Sequence, residues 1–153
     1  MIYIFLIISI EYVVEDVTVN GEIYRRLIFF NNPRLIQSEA RIILHQKSKK
    51  IVDKTYLACA HHSVMIGACG FFMDQKEIQC LLIGLGGGGL ATYMTNNFEN
   101  LVKLTVVEID EAIIRVAKDQ FGFNAGSSSD KIKVVQEDGI KYIEKLASNP
   151  SSE

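Results

Sequence analysis

The sequence has no excess of charge of either sign, because its 16 lysine and arginine residues face 18 aspartate and glutamate residues. A formal net charge of −2 gives no electrostatic basis for binding nucleic acid or an anionic membrane surface. The nearly apolar residues 1–10 are fewer than the about 20 that a membrane-spanning helix needs. We therefore expect neither a nucleic-acid nor a membrane partner, and we predict that residues 1–10 contribute an opening strand.

Cysteine is scarce as well. The three cysteines, Cys59, Cys69 and Cys80, are odd in number and lack the spacing of zinc motifs, which predicts reduced thiols and a cytoplasmic location. The adjacent His61 and His62 do not change this prediction, because neighbouring side chains on a helix project about 100° apart. We therefore expect no metal site.

Glycine, in contrast, is concentrated in one segment. Apolar residues 81–83 lead into a glycine-rich turn, and a helical pattern follows it. Strand, glycine turn and helix together are typical of sites for nucleoside-bearing cofactors. Gly84, Gly86 and Gly89 fit the dinucleotide pattern G-x-G-x-x-G. Gly84, Gly86 and Gly88 fit equally well the G-x-G-x-G loop of S-adenosylmethionine enzymes, so the pattern leaves both cofactors open, as well as a glycine loop without a ligand.

An acidic residue ends the second predicted strand. Glu108 follows apolar residues 104–107 and lies 24 positions after Gly84. This is close to the spacing of about 20 residues at which a carboxylate accepts hydrogen bonds from ribose hydroxyls. The alternative for Glu108 is a solvated strand end. Asp110 precedes a normal helix start, so we predict that it caps that helix.

A third strand is followed by another acidic residue. Residues 132–136 alternate as a strand and lead into Asp138 and Gly139, after which a helical pattern begins. A carboxylate after the third strand can accept a hydrogen bond from an adenine amino group, which is more typical of S-adenosylmethionine folds than of nicotinamide dehydrogenases. A helix cap is the alternative for Asp138. The two are compatible, because one oxygen can cap while the other faces a ligand.

The segments LLIGLGGGGL, VVEID and VVQEDGIKYI together resemble the spermidine-synthase-like branch of class I S-adenosylmethionine methyltransferases. Upstream, residues 24–29, 36–41 and 56–66 are similar to the C-terminal domain of the family of translation elongation factor 1-alpha lysine and N-terminal methyltransferases. The resemblance covers about residues 11–147. It implies that S-adenosylmethionine is the cofactor and that the protein substrate is elongation factor 1-alpha, methylated on its N-terminal amine.

The resemblance also bears on single residues. It implies that Gln37 lies near the cofactor and that His62 faces the cofactor's methionine end, although an edge-strand glutamine and a half-buried helix start would explain them equally well. Spermidine synthases carry an acidic residue where this chain has Gly87, so polyamine synthesis is not expected. The family continues beyond the end of this chain with substrate-facing residues. We therefore expect a truncated fragment, inactive by itself, whose catalytic residues are unknown.

The predicted fold is α/β: the N-terminal half of a Rossmann-like class I methyltransferase sheet, preceded by a small β-hairpin region. Residues 1–55 form that β region, with a strand end and polar loop over residues 38–55, and residues 56–153 form the partial cofactor-binding domain. Both belong to one structural domain. The first strand of the parallel sheet would lack a partner on one side, which predicts self-association. Two alternative functions are an inactive relative that binds only cofactor or a protein partner and, more distantly, a nicotinamide-dependent oxidoreductase fragment.

Overall fold

The computed structural model describes residues 2–6, 11–45, 49–72, 74–124 and 131–148. They form two sheets, one antiparallel with five strands and one parallel with three. Four α-helices accompany the sheets in this part of the chain. The α/β class and the parallel sheet were both predicted from the sequence, and both are confirmed. The opening strand is present as β1, Ile2–Leu6, whereas residues 7–10 lie outside the described residues.

The antiparallel sheet is larger than the predicted hairpin. Its strands follow chain order, and each pairs with the next: β1, then β2 (Glu11–Val19), β3 (Glu22–Phe29), β4 (Ile36–His45) and β5 (Lys49–Val52). Asn20 and Gly21, both with positive φ, make the tight turn between β2 and β3, as a two-residue hairpin turn requires. Val14 and Leu27 are opposite each other across these strands, and both are buried.

The predicted polar loop from residue 38 is wrong, because β4 and β5 occupy most of it. Ala40 and Ile42 are buried on one face of β4. Between them, Arg41 extends to the other face and pairs with Asp53 at 2.7 Å. Polar residues thus alternate with apolar ones, as in a half-buried strand. The charge of Arg41 is balanced by Asp53, which follows β5 in the sequence.

The parallel sheet has the order β6-β7-β8, with β6 (Ile78–Ile83) at an edge and β7 (Leu101–Glu108) between β6 and β8 (Ile132–Gln136). Helices α2 (Gly89–Asn97) and α3 (Glu111–Phe121) connect the three strands, and α4 (Gly139–Ser148) follows β8. The three strands confirm those predicted from the sequence. On β6, Leu81 and Ile83 are 42% and 47% exposed, so the edge strand presents apolar side chains to solvent.

Helix α3 lies between two hydrophobic clusters. Ile114 and Ala117 pack in a cluster with β7 and α2. Ile113, Val116 and Phe121 pack in a second cluster with residues of the antiparallel sheet. Arg25 of β3 also donates a hydrogen bond to the carbonyl of Gln120 near the end of α3, at 2.7 Å. Helix α3 therefore joins the two sheets.

Helix α1, Ala60–Cys69, precedes the parallel sheet and ends in a 3-10 turn, Gly70–Phe72. The apolar spacing of residues 56–72 predicts a helix with an apolar face, and a helix is present within this range. None of its residues is fully buried, however, and Val64 and Met65 are 73% and 44% exposed. Within the described residues, no helix is both long and apolar enough to cross a membrane.

Candidate functional site

The glycine turn connects β6 to α2 with three residues in the left-handed region. The φ angles of Gly84, Gly86 and Gly88 are 86°, 54° and 75°. Gly89, in contrast, is the first residue of α2, and its φ lies outside that region. Because L-residues with a side chain seldom adopt positive φ, the backbone requires glycine at the positions of the G-x-G-x-G pattern. The alternative pattern, which includes Gly89, has no such requirement at its last position.

Close neighbours also restrict the turn. A Cβ at Gly86 would lie 2.7 Å from Ser38 Oγ, and one at Gly88 would lie 2.9 Å from the Phe123 ring. A Cβ at Gly87 would lie 2.9 Å from Cδ1 of Phe121. These distances are shorter than real contacts allow, so the turn packs its backbone directly against the neighbouring elements. An acidic side chain at position 87 would therefore have to displace the Phe121 ring.

Glu108 connects the end of β7 to the glycine turn. Its Oε2 accepts a hydrogen bond from the Leu85 N–H at 2.8 Å, and its Oε1 accepts one from the Asp110 N–H at 3.0 Å. The residue is only 9% exposed. A carboxylate oxygen can accept two hydrogen bonds, so each oxygen keeps one acceptor position. Asp110 accepts from the Ala112 N–H at 2.8 Å, which confirms that it caps α3.

Asp138 and Gly139 lie at the start of α4. Oδ1 of Asp138 accepts from the backbone N–H groups of Ile140 and Lys141, at 2.8 and 3.3 Å, so Oδ2 takes no part in the cap. A Cβ at Gly139 would lie 2.4 Å from Cγ2 of Ile83 at the end of β6. The helix start therefore approaches the glycine turn. The six predicted cofactor-binding residues all lie at or just after the carboxyl ends of the parallel strands: Gly84, Gly86, Gly88, Glu108, Asp138 and Gly139.

Ser38 contacts the turn but was not predicted from the sequence. Its Oγ accepts a hydrogen bond from the Gly87 N–H at 2.8 Å and donates one to Oε1 of Gln37 at 2.6 Å. The Gln37 amide is also close to the turn, with Nε2 3.2 Å from the Cβ position of Gly86. The sequence did predict that the adjacent Gln37 lies near the cofactor, and this was the one indication that β4 approaches the glycine turn.

His62 is half-buried at the first turn of α1. It lines a cavity of about 20 Å³, together with Gly87, Gly89 and Thr92 from the glycine turn and α2. This volume is enough for about one water molecule. Burial, and to a smaller extent the neighbouring His61, lower the pKa of His62 to about 4. The imidazole is therefore neutral at neutral pH, and it lies on the side of α1 that faces the glycine turn.

The two histidines converge with a cysteine, unlike the divergence expected from the sequence. The ring centroids of His61 and His62 are 4.3 Å apart, in an edge contact. The ligand atoms of Cys59, His61 and His62 all lie within 4.8 Å of one another. Cys59 stands just before the helix, with φ −85° and ψ 120°, so helical spacing does not fix the direction of its side chain.

Comparisons with known proteins identify related sequences. A family model described as the spermine/spermidine synthase domain matches residues 59–150. Two curated relatives, each named eEF1A lysine and N-terminal methyltransferase, come from Xenopus laevis and Homo sapiens. Both are 34% identical to this chain, and the alignments cover 91% and 92% of it but 24% of each relative. The chain thus spans about a quarter of the length of these relatives.

A solved structure is also similar. The crystal structure of human methyltransferase-like protein 13 in complex with SAH is 33% identical, with a TM-score of 0.52, and the match covers 62% of this chain and 43% of that chain. The resemblance predicted from the sequence is therefore confirmed. Because the family model matches more than half of its residues, the chain belongs to the spermine/spermidine synthase domain family.

Proposed function

We propose that this chain binds S-adenosylmethionine at the carboxyl edge of its parallel sheet, as the cofactor-binding part of a protein methyltransferase. The observation that carries the proposal is the joint geometry of the glycine turn and Glu108. The turn has positive φ at the three positions of the G-x-G-x-G pattern, and the Glu108 carboxylate is held beside its first residues. The solved relative that contains SAH supports the same ligand class.

Each part of the site has a distinct task. Glu108 uses its remaining acceptor positions for the ribose hydroxyls, while its two backbone hydrogen bonds hold the carboxylate in place. The first N–H groups of α2 have no partner within the helix and form a positive end beside the turn. Asp138 accepts from the adenine amino group through Oδ2, and Gly139 lets α4 start close to β6. Bound S-adenosylmethionine supplies a methyl group activated by its sulfonium, so the chain has to orient the reactants and exclude water.

The acceptor that we propose is the N-terminal amine of elongation factor 1-alpha, and the curated relatives named for this activity support it. A polyamine is a poor alternative, although the family model carries the name of polyamine synthases. Spermidine synthases hold their amine with an acidic side chain at the position of Gly87. A side chain at that position would collide with Phe121 and Ser38.

Two further properties belong to this proposal. The three cysteines are all free thiols, which supports a reducing compartment and therefore the cytoplasm. The β6 edge supports self-association, because its exposed Leu81 and Ile83 flank backbone groups that can pair with another strand. A cavity of about 450 Å³ beside β6 adds apolar surface from Phe72, Ile78 and Met94.

Calorimetric titration of the purified chain with S-adenosylmethionine, S-adenosylhomocysteine and NAD tests the cofactor assignment. We expect binding of the first two and no binding of NAD. Glu108→Gln keeps the size of the side chain and an oxygen for the Leu85 N–H, but it removes the charge that holds the ribose. We expect a loss of about 1.5–3 kcal/mol in binding free energy, which is the usual contribution of a hydrogen bond to a charged group.

The matched control is Glu99→Gln, which changes an exposed glutamate in the turn between α2 and β7. It should leave the affinity unchanged. If the two variants bind S-adenosylmethionine with equal affinity, Glu108 does not contribute to the site. If NAD binds more tightly than S-adenosylmethionine, the proposed cofactor is wrong. Methyl transfer to an elongation-factor N-terminal peptide is measured separately with radiolabelled cofactor. Binding without transfer would assign to the isolated chain the cofactor-binding role alone.

A further inference from the structure

A cluster of three metal-ligating side chains lies at the first turn of α1. Cys59 supplies a sulfur, and His61 and His62 each supply a ring nitrogen, with all three atoms within 4.8 Å of one another. The local backbone explains the convergence. Cys59 is the residue before the helix, and side chains at this position fold back over the first turn, where they usually cap it. The Cys59 thiol makes no such cap, and its Sγ lies 3.9 Å from the Glu39 carbonyl oxygen.

The chemistry of these donors selects a narrow class of ligand. One thiolate with two imidazoles suits Zn²⁺, whereas Mg²⁺ and Ca²⁺ prefer oxygen donors. With Zn–S near 2.3 Å and Zn–N near 2.0–2.1 Å, tetrahedral donors are about 3.4–3.6 Å apart. The separation of up to 4.8 Å between the ligand atoms is therefore about 1.2–1.4 Å wider than a zinc site requires. Side-chain rotation can close that difference, because His61 is exposed and free to adjust.

We propose that Cys59, His61 and His62 together bind one Zn²⁺ ion. The Cys59 thiol gives its proton to solvent when the Zn–S bond forms, and water occupies the fourth position. The ion ties the first turn of α1 to β4 through the cysteine beside Glu39. Such a tie has a structural consequence, because none of the α1 residues is fully buried and Ile66, which packs against the core cluster, is only partly buried. The site also borders the glycine turn, since His62 lines the same small cavity as Gly87 and Gly89.

The test uses the full chain without a histidine tag, freed of metal with a chelator and then titrated with Zn²⁺ alone. We expect one ion per chain. Cys59→Ser and His61→Ala should each weaken Zn²⁺ binding at least about tenfold, as the loss of one ligand requires. Titration with Co²⁺ in place of Zn²⁺ should give a thiolate-to-cobalt charge-transfer absorption, and Cys59→Ser should remove it.

The chain offers matched controls. His45→Ala changes the one remaining histidine, which is exposed at the end of β4, and Cys80→Ser changes a cysteine of β6. Both should bind Zn²⁺ like the unchanged chain. No Zn²⁺ binding by the unchanged chain would overturn the proposal. So would control variants that weaken binding as much as Cys59→Ser and His61→Ala, or a cobalt complex without the charge-transfer absorption. Because His61 is exposed, its removal should leave the fold intact, and circular dichroism checks this.

Discussion

Replacing Gly88 with alanine should destabilise the chain far more than the same change at Gly89. At Gly88 the φ of 75° places the new side chain in the left-handed region, which costs about 1–2 kcal/mol. The Cβ would also lie 2.9 Å from three atoms of the buried Phe123, and such overpacking costs about 1–3 kcal/mol. The sum is a loss of about 2–5 kcal/mol in the free energy of unfolding.

Gly89 provides the control one residue later. A Cβ there meets no atom within 4 Å, and the residue already belongs to α2. Alanine is the better helix former by up to about 1 kcal/mol, so Gly89→Ala should be neutral or stabilising. The melting temperatures should differ by at least about 4 °C, because 1 kcal/mol shifts the midpoint by about 2–4 °C in a chain of this size.

Thermal unfolding followed by circular dichroism measures the difference, and urea unfolding gives the free energies directly. Similar stabilities of Gly88→Ala and Gly89→Ala would show that the turn relaxes without cost. In that case the backbone would not distinguish the G-x-G-x-G pattern from the dinucleotide pattern. If Gly89→Ala is also destabilised, the conclusion that a Cβ at this position meets no neighbour is wrong.

Three further outcomes are expected. Ser38→Ala should weaken the binding of S-adenosylhomocysteine, because the Gly87 N–H loses the acceptor that lies 2.8 Å away. It should also lower the free energy of unfolding by about 0.5–1.5 kcal/mol. Unchanged affinity would show that β4 takes no part in the site. Burial raises the pKa of Asp16, but Arg25 and Lys50 together lower it by more, so the net shift is downward. The free energy of unfolding should therefore fall as the pH drops below about 4, where this carboxylate takes up a proton. In Asp16→Asn this fall with decreasing pH should be smaller. Light scattering should detect self-association through β6, and Leu81→Lys should reduce it; a monodisperse chain at all concentrations would contradict this.

The parallel sheet and the residues at its carboxyl edge were predictable because their signals are local. Two of the strands contain short apolar runs, which the glycine turn and Glu108 directly follow, and the third strand alternates in polarity. The Asp110 cap needs no information beyond the next two residues. The assignment of G-x-G-x-G over the alternative was not predictable, because it depends on the backbone angles of Gly88 and Gly89.

The misjudged parts depend on contacts between distant residues. Most of β4 falls in residues 38–55, which were predicted as a strand end and polar loop. In the fold, Arg41 is paired with Asp53. Ser38 reaches Gly87 across 49 positions of sequence, which no local pattern encodes. For α1, apolar spacing predicts a helix face but not whether another element covers it, and Val64 is exposed.

The position of α3 between the two sheets has a consequence for how the chain unfolds. A helix that contributes side chains to both clusters cannot leave one of them without opening the other. Removal of the antiparallel sheet would leave Ile113, Val116 and Phe121 facing water, so dissection of the chain near residue 55 should yield a poorly folded remainder. We therefore expect the amides of β3 and β7 to exchange with solvent through a single opening event. The two sheets would then unfold as one cooperative unit, although their strands form two separate hydrogen-bonded sheets.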